Sequence, residues 1–243
     1  MGLLKEKKKL GGTGRPGLPG TGRKAETSDL RPRYVDKRPP CEAGCPGASG
    51  IREALAAIAQ ADKRGLDAER ALDEAWQAIA ARNPFPAVTG RVCPHPCEAE
   101  CNRAAKEGAV AINAIERFLG DHGIRRRLAP RMVTEEKRSG KGAVIGSGPA
   151  GLSAAYHLAR RGYGVTVFEA APAAGGMLRS GIPAYRLPRE VLDAEIGRIA
   201  GLGIEMRTGA RVGRDVSWEE IESGSAAIFV AIGAQRSRRL GVD

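Results

Sequence analysis

Hydrophobic positions along the chain change period near residue 143. Between residues 41 and 129 they recur at helical spacing. "IREALAAIAQADKRG" sets Ile51, Leu55, Ile58 and Ala59 on one face. "DAERALDEAWQAIAARNP" sets Leu72, Trp76 and Ile79 on one face, and Asn83-Pro84 ends it. "AINAIERFLGDHG" gathers Ile112, Ile115 and Leu119, with Gly120 and Gly123 as stops. No alternating pattern occurs here, so residues 41–129 predict a small helical domain whose cysteines sit in loops and helix starts. From Ala143 onward, short Val/Ile-rich runs alternate with helical stretches. "AVIG" is followed by a helix carrying Leu152, Ala155, Tyr156 and Ala159, then by "GVTVFEA". A helix with Leu192, Ile196 and Ile199 precedes "IEMRTG" and "AAIFVAIGA". That alternation predicts an α/β domain with a parallel sheet over residues 143–243. Residues 130–142 are polar and predict a linker, and residues 1–40, rich in Gly, Pro, Lys and Arg, predict a disordered or extended tail.

Composition sharpens this picture in two places. Aromatic residues make up only 4% of the chain, so Ala, Leu, Ile and Val must fill its cores. The formal charge is +11, but residues 1–40 carry eleven Lys/Arg against four Asp/Glu, so most of the excess belongs to the tail. A basic tail can touch an acidic partner. A solvated arm is the plainer reading, and nucleic acid is not an expected partner. The apolar run "AAIFVAIGA" is far shorter than the roughly 20 residues of a membrane span. "MGLLKEKKKLGG" lacks the apolar core of a signal peptide. The expectation is a cytoplasmic protein without a membrane partner, where thiols stay reduced. Five cysteines in that setting read as metal ligands before disulfides.

The densest chemical signal is "AVIGSGPAGLSAAYHLARRGYGVTVFEA". Gly146, Gly148 and Gly151 stand in G-x-G-x-x-G spacing, with Ser147, Pro149 and Ala150 between them. The motif follows a predicted strand and opens a predicted helix. A second strand then ends in Glu169, 18 residues beyond Gly151. Gly146 permits the tight turn, Gly148 lets backbone approach a pyrophosphate, and Gly151 lets helix pack closely on strand. The helix start offers N–H groups to that pyrophosphate, and Glu169 can accept from ribose hydroxyls. These residues predict a dinucleotide without fixing which one.

"AAPAAGGMLRSGIPAYRLP" resembles the second signature of the two-dinucleotide-binding flavoproteins, in which Gly-Gly, here Gly175 and Gly176, lies against FAD. "FVAIGA", which contains Gly233, resembles the strand-to-loop motif by which those flavoproteins leave their FAD domain. The match implies FAD rather than NAD. From about Pro39 to Asp243 the chain resembles the glutamate synthase small-subunit family and the N-terminal half of dihydropyrimidine dehydrogenase. The resemblance is carried by "PPCEAGCP", "FPAVTGRVCPHPCEAEC", "AINAIERF", "GGMLRSGIPAYRLP" and the motifs above, in order. It implies a small all-α iron–sulfur domain followed by a partial Rossmann-like FAD domain. It also implies that NADPH reduces FAD and that electrons leave singly through 4Fe–4S centres. By motif match, Ser147 to Ala150, Glu169, Gly176, Met177 and Arg186 would contact FAD, and Val212 would meet the adenine through its backbone. No catalytic side chain is implied, because the cofactor carries the chemistry.

The cysteines form two groups, Cys41 with Cys45 and Cys93 with Cys97 and Cys101. Soft thiolates suit iron–sulfur clusters or zinc, and C-x₂₋₄-C spacing is also found in zinc sites. Two Cys-Pro pairs of the ferredoxin kind, and a use for a one-electron carrier beside a flavin, favour iron–sulfur over zinc or plain thiols. Pro96 suits a helix start, and "CEAEC" would then place Cys97 and Cys101 on one face. The relatives carry two clusters and four cysteines in the first motif. Here only the last two are present, and five thiols support one 4Fe–4S cluster. The resemblance implies the ligand set Cys45, Cys93, Cys97 and Glu116. The alternative is four of the five cysteines, with Cys41 or Cys101 in place of Glu116. Glu116 falls in the apolar stripe of its helix, where a carboxylate is either paired or coordinating, or else at an edge reaching solvent or an arginine. His95 reads as a loop residue.

The sequence stops at "GAQRSRRLGVD", where the family's pyridine-nucleotide domain would begin. The expectation is a fragment or a short subunit, with NAD(P)H supplied by a missing domain or a partner and a larger redox subunit exchanging electrons. The competing expectation is a non-catalytic iron–sulfur docking or assembly module with an incomplete flavin domain.

Overall fold

The computed structural model describes residues 38–234. The expected basic tail therefore lies outside the described residues up to position 37, as does the segment from position 235 onward. From Pro39 the chain forms one compact unit. Six α-helices come first: α1 (Pro40–Ala43), α2 (Ile51–Ala59), α3 (Ala68–Ala80), α4 (Pro86–Val92), α5 (Pro96–Ala99) and α6 (Ile112–Arg125). Then follow β1 (Lys141–Ile145), α7 (Pro149–Ala159), β2 (Gly164–Glu169), α8 (Met177–Ser180), α9 (Arg189–Ala200), β3 (Glu205–Thr208), α10 (Trp218–Gly224) and β4 (Ala227–Val230). The strands make one parallel sheet in the order β3-β2-β1-β4. This is a helical domain followed by a parallel-sheet Rossmann-like domain. Among the described residues no helix is long and apolar enough to cross a membrane.

Local chemistry sets the helix ends. Asp67 caps α3 by accepting the Arg70 N–H at 2.8 Å, and Ser217 caps α10 by accepting the Glu220 N–H at 3.1 Å. Proline opens α4, α5 and α7, where its missing N–H leaves nothing unpaired. The α3 stripe buries Ala71, Ala75, Trp76 and Ile79, as helical spacing requires.

Two sequence expectations fail here for packing reasons. The α2 face in contact is Ile51, Ala54 and Ala57, while Ile58 and Ala59 are exposed and Leu55 is half-buried. Ala54 and Ala57 share a core with Ala75, Ile79 and Leu119. Small residues let the two helices approach, while Ile51 and Leu55 pack towards Cys97 and Ile112 and only Ile58 and Ala59 of the expected face stay outside. Gly120 and Gly123 do not stop α6 but lie inside it. A Cβ on Gly120 would stand 2.3 Å from Ala87 N, and one on Gly123 would stand 2.2 Å from Trp76 Nε1. They are points of close crossing. The helix ends instead on Arg127, in a left-handed conformation (φ 53°), where the Leu128 N–H donates to Gly123 O at 2.9 Å.

The two halves meet through a shared core. Phe85 and Val88 near and on α4 pack with Leu152 and Tyr156 on α7, Leu192, Ile196 and Ile199 on α9, and Val144 and Val167 of the sheet. The free carbonyls at the end of α3 are satisfied from α7 and the residue that follows it. Tyr156 Oη donates to Ala80 O at 2.6 Å and Arg160 to Ala81 O at 2.8 Å. The polar stretch after α6 also runs along the sheet half, its Val133 and Arg138 N–H groups donating to Arg160 O and Gly162 O, each at 2.8 Å. The opposite sheet face packs Ala143, Ile145 and Phe168 against Ile221 of α10, following the two-residue alternation of strands.

Candidate functional site

The cysteine groups and α6 converge on one cavity. It is lined by Cys45 from the loop after α1, Cys93 at the end of α4, Cys97 in α5 and Glu116 in α6, with Ile51 and Ile112 as apolar wall and His95 also on the lining. Cys93 closes α4 in an extended conformation (φ −65°, ψ 135°), and Pro94 and His95 then turn the chain, His95 in the left-handed region (φ 47°). The His95 N–H donates to Cys93 Sγ at 3.3 Å. Polar side chains pin the elements together. Glu98 Oε1 accepts the Asn113 N–H at 2.8 Å, capping α6 from the cysteine loop. Asn113 reaches Thr89 O at 3.2 Å, and Arg91 on α4 pairs with Asp121 on α6 at 2.8 Å.

Glu116 is held by Asn83, whose Nδ2 donates to its Oε1 at 2.9 Å and to Thr89 Oγ1 at 2.7 Å. Burial pushes the Glu116 carboxyl up, and the hydrogen bonds from Asn83 and Thr89 only partly offset this. Burial likewise pushes the Cys97 thiol up to about 11, with Cys45, Glu98, Cys93 and Glu116 adding negative charge around it. The raised Cys97 thiol and Glu116 carboxyl disfavour their charged forms here until a cation takes the place of their protons. That donor set suits iron and sulfide. Among the described residues no three His, Cys, Asp or Glu side chains converge on a single-ion site.

Cys41 and Cys101 do not line this cavity. Cys41 packs, as Cys45 does, against the apolar group of Ile51, Cys97 and Ile112. The expected shared face of Cys97 and Cys101 is absent, because α5 ends at Ala99 and Cys101 instead precedes a 3₁₀ turn at Asn102–Ala105. Hydrogen bonds from the Val110 and Arg103 amides hold the Cys101 thiol below its ordinary value. All five cysteines are free.

The glycine motif sits at the carboxyl end of β1. Gly146 takes φ 103°, and a Cβ there would meet Ala231 O at 2.4 Å. A Cβ on Gly151 would stand 1.9 Å from Gly146 O, so only glycine allows α7 to lie this close to β1. Gly148 has open space in front of it, which is where a phosphate would approach. Gly176 lies against the first motif, its Cβ position 2.7 Å from Gly148 Cα, and the Gly175 N–H donates to Ser147 O at 3.0 Å. Pro149 and Ala150 form the first turn of α7. Glu169 ends β2 and is already engaged. Its Oε2 accepts from Ser147 N at 2.9 Å and Ser147 Oγ at 2.6 Å, and its Oε1 accepts from Ala171 N at 2.8 Å. Burial raises the Glu169 carboxyl, but these bonds outweigh it and hold the group below the usual carboxylate value.

Around this centre, Met177 and Arg186 are exposed, and Gly233 takes φ 71° with open space beside it. Val212 bridges to Val216 after β3, in a segment whose Gly209 and Ala210 N–H groups donate to Ala171 O and Glu169 O at 2.9 Å.

Sequence reasoning missed one residue that shapes these sites and the second role of another. Asn83 reads as a helix stop, yet it orients Glu116 from 33 positions away. Ser147 is expected from the motif to contact FAD, but its bridging role is not: it is fully buried and links Glu169 to Gly175. No local pattern announces a partner that distant; only a serine inside the glycine motif hints at a second role.

Residues 33–128 match the family described as dihydropyrimidine dehydrogenase domain II, 4Fe–4S cluster, and residues 144–197 match the NAD(P)-binding Rossmann-like domain. The chain is 38% identical over 214 residues to NADPH-Fe(3+) oxidoreductase subunit beta of Geobacter sulfurreducens, covering 87% of this chain and 30% of that protein. It is 38% identical over 172 residues to the glutamate synthase [NADPH] small chain of Escherichia coli, covering 70% of this chain and 36% of that one. It is 34% identical over 196 residues to the NAD-dependent dihydropyrimidine dehydrogenase subunit PreT of Escherichia coli, covering 80% and 45%. The chain thus spans less than half the length of each of these relatives. It carries a 4Fe–4S domain of the dihydropyrimidine dehydrogenase type followed by an NAD(P)-binding Rossmann-like domain, and is a homologue of these NAD(P)H-dependent oxidoreductase subunits.

Proposed function

We propose that the chain is the electron-transfer portion of an NAD(P)H-dependent oxidoreductase, holding FAD at the glycine motifs and one 4Fe–4S cluster in the cysteine-lined cavity, and exchanging electrons with a larger redox subunit. The observation that carries this reading is the convergence of Cys45, Cys93, Cys97 and Glu116, from four separate elements, on one cavity. Bound FAD supplies the conversion between two-electron and one-electron transfer, and a cluster supplies single-electron carriage. The chain's own residues bind and orient. Gly148 and the start of α7 present backbone N–H groups to a pyrophosphate, and Gly176 keeps the second loop against the first.

Glu169 favours FAD over NADPH at this position. Its lowered titration keeps it ionised near neutral pH, and an anion at the end of β2 repels a 2′-phosphate. The carboxylate accepts from Ser147 and Ala171, with the Ala170 amide also bearing on it, so the protein fixes its orientation at the end of β2. NADPH then binds elsewhere, in a further domain or partner. Five free cysteines and a cluster also fit a reducing compartment such as the cytoplasm.

Anaerobically purified protein tests the reading. Flavin bands with a broad iron–sulfur shoulder, and about four irons and four sulfides per chain, are expected. A shoulder without flavin supports the docking-module reading instead, and neither feature removes both.

A further inference from the structure

Glu195 lies on α9, in the sheet half, and is fully buried (0% exposed). Its Oε1 accepts the Ala87 N–H at 2.7 Å. Ala87 is the second residue of α4, whose own N-cap, Phe85, offers no side-chain acceptor. The start of this helix is therefore capped from 108 positions away, across the junction of the two halves. Glu195 Oε2 faces Arg198 in an ion pair, and neither Oε2 nor Arg198 Nη2 has a hydrogen-bond partner besides. The Arg198 guanidinium lies over the Trp76 ring, 4.9 Å from its centre, so the pair also touches the middle of α3. The helix α4 has only seven residues and is about 10 Å long. Its far end is Cys93, whose N–H is tied to Thr89 O at 2.9 Å. A displacement of the Ala87 end is transmitted to Cys93 by less than two turns of helix.

We infer that Glu195 is a positioning residue for the iron–sulfur centre: from the dinucleotide-binding half it holds the start of α4 and thereby fixes where Cys93 stands. The inference rests on the reading of Cys93 as a cluster ligand. It makes the geometry of the cluster depend on a helix of the other half, with no group passing between them.

Two conservative variants separate this role from plain stability. Glu195→Asp keeps the charge facing Arg198 but withdraws the oxygen from Ala87. Glu195→Gln keeps the oxygen at Ala87 but removes the charge. In Glu195→Asp, the Ala87 amide is expected to exchange about tenfold faster, the scale of one lost hydrogen bond. The paramagnetic resonance spectrum and midpoint potential of the reduced cluster should shift with it. In Glu195→Gln, whose Nε2 donors now face the Arg198 guanidinium, stability falls but both cluster readouts should move less than in Glu195→Asp. A structural ion pair predicts the reverse order, with Glu195→Gln the more perturbed. That order, or an unchanged cluster spectrum in Glu195→Asp, overturns the inference. Cys93→Ser is the control for the ligand reading. If it leaves iron content and spectrum intact, Cys93 is not a ligand. If it abolishes the cluster while Glu195→Asp does nothing, the positioning role alone has failed.

Discussion

Glu116 and Glu169 are half-buried glutamates in the two halves of the compact unit that begins at Pro39, and their carboxyls are driven in opposite directions. Around Glu116 burial wins, and Asn83 and Thr89 compensate only in part. Around Glu169 burial also acts, but Ser147 and the Ala171, Ser147 and Ala170 amides outweigh it. The first carboxylate sits among thiols in a cavity that favours an incoming cation. The second is already satisfied by protein donors and stands ready as an acceptor. The contrast separates two ways of building a cofactor site. The cluster cavity assembles donors whose charged forms are disfavoured until a positive centre arrives, whereas the dinucleotide site is held in shape by its own backbone.

The largest expected effect breaks the cavity. Cys97→Ser should lose essentially all cluster iron and sulfide, because a buried hydroxyl replaces a thiolate ligand. Iron analysis and the visible spectrum check this, and flavin content should hold. Glu116→Gln should retain part of the iron, while an unchanged content would return the fourth position to Cys41 or Cys101.

Gly151→Ala attacks the other site. Its new Cβ falls 1.9 Å from Gly146 O, so backbone must move. Flavin binding should be lost and stability should fall by roughly 2–3 kcal/mol in urea unfolding. Ser147→Ala is milder. It removes the hydroxyl between Glu169 and Gly175, and about 1–2 kcal/mol of flavin affinity should go with it, read by flavin titration.

The two glutamates also predict opposite pH dependences in the cofactor-free chain. Glu169 titrates below its ordinary 4.5, so the folded state holds fewer protons there than the unfolded chain. Its contribution is complete above about pH 4.5 and is lost as pH falls through the lowered value. Glu116 titrates above 4.5, so its contribution is complete below about pH 4.5 and is lost as pH rises through the raised value. Urea midpoints of Glu169→Gln and Glu116→Gln against the parent, followed across that range, should diverge with these two signs. The smallest effect is expected at Ile58. Ile58→Ser should change stability by no more than about 0.5 kcal/mol, because the side chain lies off the packed face of α2.

The glycine site was legible because its parts are contiguous. Gly146, Gly148, Gly151 and Glu169 belong to one strand–helix–strand unit, and local geometry alone gives each a role. The cysteine site was legible in kind but not in membership. Spacing could not separate Cys45, Cys93 and Cys97, which line the cavity, from Cys41 and Cys101, which do not. Helical periodicity was a fair guide where large side chains make the contact, as on α3, and held only in part on α2, where alanines share it. Glycines read as stops on α6 were helix-crossing points, since a missing side chain serves a turn and a close approach equally well.

The sequence by itself determined the succession of a helical half and a parallel α/β half, the tight turn of the glycine motif, and the presence of soft ligands. Each of these follows from residue type and short-range period, which act within a few positions along the chain. Only the tertiary structure decided that Asn83 faces Glu116, that Ser147 bridges Glu169 to Gly175, and that Glu195 caps α4 from 108 positions away. A buried polar group must find a partner wherever packing brings one, and that partner is chosen by the crossing of elements rather than by neighbours in sequence.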